Sequence, residues 1–324
     1  MEKFTFITPV YISEGDELGL KHFKKTIYSV SEQTSPEWSM VIIDDNSNNK
    51  KLVEIVNYFI NYSSQYIIFH QNTTTLKPFS SRNIGIKIAK DKLDSSYVMF
   101  LDADDLNHIK RVEETRKIVN SHHPDIIYSY FIPIDNYDKT INISELSYII
   151  QHILLALLSP PTGTEVWKEL YLGKGYVNLT SSTTVNINLA LKFPFPEDIH
   201  CEDVCTWLQY AMYGANFYYS PIIPSSYRIP NVKTGSISRE YIGQKNFNND
   251  FVRSIIRGFN SGISYLISNN QVAPEYIKLL AIKHFDLIES ALKQDGFNEI
   301  IGQIEAMMTK YKKSDELLLP DSFF

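Results

Sequence analysis

The stretch Val98-Met99-Phe100-Leu101-Asp102-Ala103-Asp104-Asp105 decides the fold. Its four apolar residues, preceded by Tyr97, leave no polar face, as a strand buried on both sides of a parallel sheet requires. Three carboxylates follow within four positions. Ionised carboxylates are not left unpaired in an apolar interior, so the chain must reach a sheet edge at Asp102. Extended geometry sends Asp102 and Asp104 to one side. There they stand in water, cap the following helix, or hold a hard divalent cation through oxygen ligands. Ligands of open α/β sheets bind outside the carboxyl ends of the strands, which makes the cation reading the one to pursue.

Toward the N-terminus the same strand-then-polar-turn unit recurs. Phe4 to Val10 reads as a first strand with Pro9 suited to its end. Leu18 to Val30 has helical spacing, with Leu20, Phe23, Ile27 and Val30 on one side. Met40 to Ile43 is a second buried strand ending in Asp44-Asp45-Asn46-Ser47, and Leu52 to Ile60 a helix. Tyr66 to Phe69 is a short third strand. A helix capped by Ser80 or Ser81 then runs to about Lys90 and leads into the strand Tyr97 to Leu101. This alternation predicts βαβ units, a parallel sheet and helices on both faces.

Beyond Asp105 the rhythm changes. Arg111 to Asn120 reads as helix, Ile126 to Tyr130 as strand, and Ser144 to Leu158 as an apolar helix. Pro194, Pro196, Pro221, Pro224 and Pro230 mark a loop-rich middle, and helical spacing returns from about Glu240. Two domains are expected, 1–240 and a C-terminal helical subdomain over 241–324.

The composition excludes several classes. A net charge of -6 on 324 residues offers no basic field for nucleic acid. Cys201 and Cys205 make no disulfide framework, so a reducing compartment is expected. No apolar leader follows Met1, and the run Ile149 to Leu158 is too short to span a bilayer. These features predict a cytoplasmic protein, with peripheral placement at the inner face of the membrane open. His200, Cys201 and Cys205 lack the ligands of a zinc site. A calcium loop ending at Glu113 fails because Leu106 and Asn107 fall where an oxygen ligand and the turn glycine belong. No Gly-x-Gly-x-x-Gly follows the first strand, which argues against a dinucleotide enzyme.

The remaining polar residues each admit a structural and a chemical reading. Asp44 and Asp45 either close an Asx turn or accept from a nucleobase N–H or ribose hydroxyl. Arg82 is a surface arginine or a partner for phosphate or a strand-end Asp. Glu202 and Asp203 cap a helix, supply a general base, or do both. Arg228 and the segment Gly235 to Arg239 form a linker or a basic loop folding over a diphosphate.

In their order along the chain these motifs resemble a family 2 glycosyltransferase with the GT-A fold. The likeness rests on Thr8-Pro9-Val10-Tyr11, Asp44-Asp45-Asn46-Ser47, Ser81-Arg82-Asn83-Ile84-Gly85 and Leu101-Asp102-Ala103-Asp104-Asp105. Glu202-Asp203 and the segment from Tyr227-Arg228 to Ser236-Ile237-Ser238 complete it. The resemblance implies a Rossmann-like, mostly parallel sheet flanked by helices. It implies Thr8, Pro9 and Tyr11 lining a nucleotide pocket, Asp45 or Asp44 accepting from uracil, and Arg82 closing the base and phosphate site. Asp102 would contact ribose or the metal. Asp104 would be the direct ligand of Mn²⁺ or Mg²⁺, with Asp105 a helper. Asp203 would be the catalytic base with Glu202 beside it, and Arg228, Ser236 and Ser238 would cover the pyrophosphate. The implied activity is inverting transfer from a nucleotide-sugar, with UDP favoured, to a carbohydrate, lipid-linked or protein acceptor. Bacterial surface polysaccharide or glycoconjugate synthesis is the implied setting. The alternatives are a catalytically inactive nucleotide-binding or scaffold protein and a sugar nucleotidyltransferase. The C-terminal helices are candidates for homo-oligomer contacts. The chain departs from the family pattern at Tyr11-Ile12, where Asn is usual, and in lacking an evident later histidine ligand.

Overall fold

The computed structural model describes residues 2–175, 177–198, 201–229, 245–269, 272–294 and 296–320. The chain forms two compact units that alternate along the sequence. The first comprises Met1–Thr140, Leu179–Glu197 and Tyr218–Gly235; the second comprises Ile141–Asn178, Asp198–Phe217 and Ser236–Phe324. Segments 141–178 and 198–217, placed by the sequence reading in the N-terminal domain, thus cluster with the C-terminal helices.

The first unit begins with β1 (Phe4–Val10), α1 (Glu17–Ser31), β2 (Trp38–Asp44), α2 (Lys50–Tyr62), β3 (Tyr66–Gln71), α3 (Lys77–Leu93) and β4 (Tyr97–Phe100). β1 pairs in parallel with both β2 and β4, and β2 with β3. Next come α4 (Arg111–His122), β5 (Ile126–Ile134) and β6 (Thr183–Asn186), the last antiparallel to both β4 and β5. With β7 (Phe217–Arg228) the sheet order is β3-β2-β1-β4-β6-β5-β7. Phe4, Phe6 and Val10 face Leu20, Phe23, Ile27 and Val30 of α1 in the core. On the other face α3 lies close to the sheet at Gly85, where a Cβ would meet Ile43 and Ile7 side-chain atoms at 2.7 Å.

Two sequence expectations need correction. The loop-rich middle contains the twelve-residue β7, which Pro221 and Pro224 obscured, and the short β6 just before that stretch lies outside the strands expected from sequence. α3 begins at Lys77 with no side-chain cap, so Ser80 and Ser81 lie inside it. Ser81 instead donates to the Asp45 carboxylate.

The second unit is helical. It includes α5 (Tyr148–Ala156), α6 (Val166–Glu169) and, after the short α7 (Ile187–Lys192) of the first unit, α8 (Glu202–Met212). Then come α9 (Lys245–Ser268), α10 (Pro274–Gln294) and α11 (Asn298–Lys313). α8 and α9 pack so closely that a Cβ on Gly262 would overlap Met212. Tyr171 and His284 are buried together with ring centroids 4.5 Å apart. Among the described residues no helix is long and apolar enough to cross a membrane.

Candidate functional site

The sheet order places a topological switch point at β1 and β4. The chain leaves β1 toward β2 on one side, while β4 flanks β1 on the other. Crossovers diverge there and open a crevice at the carboxyl ends of the two strands. The residues at that edge are Thr8 to Tyr11 and Asp102 to Asp105.

The acidic loop after β4 is fixed by its backbone. Leu101 N donates to Ile7 O at 3.1 Å, and Asp102 N donates to Ser181 Oγ at 2.9 Å. Thr26 Oγ1 donates to Ala103 O at 2.9 Å, and Arg228 Nε to Asp104 O at 2.7 Å. Asp105 points inward: its Oδ2 accepts from Ser181 Oγ at 2.5 Å and its Oδ1 from Arg228 N at 2.7 Å. Beneath the loop, buried Arg111 donates to the carbonyls of Phe100, Ser181 and Thr183. Burial pushes its pKa down to about 9, so it stays charged at neutral pH.

Two carboxylates project from this frame. Asp102 Oδ1 lies 2.7 Å from Arg82 Nη2, and the Arg82 guanidinium sits 5.5 Å from the Phe195 ring. Among the described residues the Asp104 carboxylate has no ion-pair or hydrogen-bond partner on another side chain. Burial, then the charge of Asp102, raises its pKa to about 7. Burial, then Asp104 and Asp102, also raises Asp105 well above the ordinary range. Adjacent carboxylates that repel one another in this way are suited to a shared cation. No cluster of three or more His, Cys, Asp or Glu ligands occurs among the described residues, so other ligands would complete the shell.

The loop after β2 supports the same edge. Asp44 closes an Asx turn: its Oδ1 accepts from Ser47 N at 2.9 Å and its Oδ2 from Gln71 Nε2 at 3.0 Å. Asp45 Oδ1 accepts from Asn72 Nδ2, Leu76 N and Ser81 Oγ, and its Oδ2 from Lys77 N. Four donors thus hold the buried Asp45 carboxylate in place. Lys77 holds φ at 76°, in the left-handed region, and this lets its N–H turn toward Asp45. Tyr11 is 58% exposed just past β1, whereas Thr8 is fully buried.

Arg228 departs from its expected role. It is 3% exposed, and its Nε, Nη1 and Nη2 engage Asp104 O, Asp135 O and Asp138 Oδ1. It clamps the acidic loop instead of presenting a guanidinium to a diphosphate. Ser236 and Ser238 lie outside the described residues. Asp203 and Glu202 belong to the second unit, both half-buried in the first turn of α8. Asp203 Oδ1 accepts from Val204 N at 2.9 Å. Sequence reasoning missed Arg111, Ser181, Asn72 and Asp138, because each acts through partners distant in the chain.

The glycosyl transferase family 2 model matches residues 5–168, which include every site residue from Thr8 to Asp138. The chain belongs to glycosyl transferase family 2. It is 29% identical over 216 residues to the uncharacterized glycosyltransferase MJ1057 of Methanocaldococcus jannaschii, covering 65% of this chain and 67% of that protein. It is 27% identical over 129 residues to the Staphylococcus aureus poly(ribitol-phosphate) beta-N-acetylglucosaminyltransferase TarS, covering 39% of this chain. That match spans only 20% of TarS. The crystal structure of S. aureus TarS 1–349 in complex with UDP superposes with a TM-score of 0.54 at 16% identity, over 96% of this chain and 91% of that one. The Pyrobaculum calidifontis mannosyltransferase PcManGT, in complex with GDP-Man and Mn²⁺, superposes at 0.58 and 13% identity, over 96% and 79%. This family 2 member is therefore a glycosyltransferase with the GT-A fold.

Proposed function

We propose that the protein is an inverting glycosyltransferase that moves a sugar from a nucleoside-diphosphate donor, UDP-linked, to an acceptor hydroxyl. The observation that carries this reading is Asp104. Among the described residues its carboxylate forms no ion pair, and it stands beside Asp102 on a loop whose backbone is anchored at every residue from Leu101 to Asp105. An arrangement so held, at a switch-point crevice, suits charge that arrives with a ligand.

Asp104 and Asp102 would hold a divalent cation, and that cation would neutralise the departing diphosphate. Arg82 orients Asp102 and limits the positions its carboxylate can take. Asp45 is the proposed acceptor for the imide N–H of uracil, its carboxylate held in place by Asn72, Leu76, Lys77 and Ser81. Asp203 is the proposed base, removing the acceptor proton as the hydroxyl attacks the anomeric carbon, with Glu202 adding negative charge beside it. A single displacement inverts the configuration. The TarS relative is named for poly(ribitol-phosphate), and one TarS structure is a complex with UDP and another with UDP-GlcNAc. Both support a UDP-sugar donor and an acceptor in bacterial surface glycoconjugate synthesis.

The test is a panel of UDP- and GDP-sugars incubated with Mn²⁺ but no acceptor, followed by assay of free nucleotide. Slow release from one UDP-sugar, lost in Asp104→Asn, is expected. Release from a GDP-sugar alone would remove the uracil reading. No release together with no nucleotide binding would leave a scaffold protein.

A further inference from the structure

We propose that Asp138 is a positioning residue for the acidic loop: it engages Arg228 and so keeps that guanidinium off the Asp104 carboxylate. This rests on the reading of Asp104 as the cation ligand.

A guanidinium exposed to only 3% needs a counter-ion close by. Arg228 has carboxylates on two sides. On one side is Asp104, close enough for the positive charge of Arg228 to stabilise its ionised form. On the other is Asp138, whose Oδ1 lies 2.7 Å from Arg228 Nη2. In the structure Arg228 gives its charge-facing Nη2 to Asp138 and shows Asp104 only Nε, which donates to the backbone carbonyl at 2.7 Å. Among the described residues the Asp104 carboxylate thereby forms no ion pair. Were Asp138 uncharged, Arg228 would lose its ion-pair partner and its charge would act on Asp104 unshared. An ion pair there would compete with a cation for the same oxygens.

Asp138 is well placed for this role. It ends a tight turn in which Asp135 Oδ1 accepts from Tyr137 N at 2.8 Å and from Lys139 N at 2.9 Å. Its own N donates to Asp135 O at 3.1 Å, and Arg228 Nη1 donates to that carbonyl at 2.6 Å. Helix α1 braces the turn from outside. The His22 ring nitrogen Nε2 lies 3.1 Å from Asn136 O, and Lys25 pairs with Asp138 Oδ2. Thr26, on the same helix, holds Ala103 O. One turn of α1 therefore fixes both the acidic loop and the residue that holds Arg228.

The test uses Asp138→Asn in the full chain. Asp138 has φ of 64°, a conformation Asn tolerates, so the turn is kept while the charge is removed. UDP affinity is measured by calorimetry in EDTA and in Mn²⁺, alongside the melting temperature. The wild type should bind UDP more tightly with Mn²⁺. Asp138→Asn should lose that enhancement by about tenfold, with affinity in EDTA unchanged or tighter. A purely structural role would instead lower the melting temperature and weaken UDP equally in both buffers, which overturns the proposal, as does a full Mn²⁺ enhancement in the variant. A wild type indifferent to Mn²⁺ overturns the Asp104 reading and this inference with it. Should Asp138→Asn fail to fold, Asp138→Gly, which also accepts the left-handed backbone, carries the same comparison with the same outcomes.

Discussion

Replacing Asp104 by Asn should make the cation-free protein more stable above neutral pH and remove its response to Mn²⁺. In the fold the Asp104 carboxyl titrates near 7, against an ordinary 3.8, because of burial and then of the neighbouring Asp102. The unfolded chain thus releases this proton near pH 3.8 and the folded chain near 7. Between those values the folded state binds more protons, so stability falls as pH rises through the window and levels off above about 7. Moving a carboxyl from 3.8 to about 7 is worth ~4 kcal/mol against ionisation. Asp104 is only half-buried, and solvent screening reduces this to ~1–3 kcal/mol. Urea denaturation at about pH 6 and about pH 8, each with EDTA and with Mn²⁺, measures it. The wild type should lose stability from the lower to the higher pH in EDTA and regain it with Mn²⁺, since a cation that binds only the folded state stabilises it. Asp104→Asn should show neither change. A variant that is less stable than wild type at about pH 8 in EDTA, or that keeps the Mn²⁺ response, would refute the argument.

Three further outcomes follow from the same geometry. Asp203→Asn should lower turnover by ~10²-fold or more with UDP affinity near wild type, and steady-state kinetics on the preferred donor decide it, wild-type turnover removing Asp203 as base. Gly85→Val should destabilise the first unit by ~1–3 kcal/mol, because the new side chain meets Ile43 and Ile7 at 2.7 Å, and an unchanged urea midpoint would contradict that close approach. Burial pushes the His284 pKa down from 6.5 to about 3. The unfolded chain then takes up a proton that the folded chain refuses, so stability declines as pH falls from 6.5 toward 3, by up to ~1.4 kcal/mol per pH step. His284→Phe should flatten that acid limb, and parallel limbs in the two proteins would disprove it.

The first half of the fold was legible because its signals are local. β1, β2 and β4 are unbroken apolar runs ended by polar turns, and α1 carries its stripe of Leu20, Phe23, Ile27 and Val30 at helical spacing. The site was legible where carboxylates end such runs, at Asp45 and at Asp102 to Asp104. The second half was not. β7 contains Pro221 and Pro224, which local rules read as loop. It stands at the end of the strand order, beside β5 and away from the sheet centre, where missing N–H donors are tolerated. Arg228 shows the same limit at the site: a basic residue next to a hydroxyl-rich segment suggests anion binding, and only its partners Asp104 O, Asp135 O and Asp138 reveal a clamp.

By itself the sequence determined which strands are buried, where they end and which of their ends bear carboxylates, because burial and alternation are properties of neighbouring residues. Tertiary structure alone decided what each carboxylate does. Asp44 closes a turn, Asp105 anchors a loop, Asp102 meets Arg82, and Asp104 forms no ion pair among the described residues. Those differences arise from Ser181, Arg82, Arg228 and Asp138, which folding alone brings to the same loop. The charge state and availability of a carboxylate depend on such neighbours in space and not on its position in the chain.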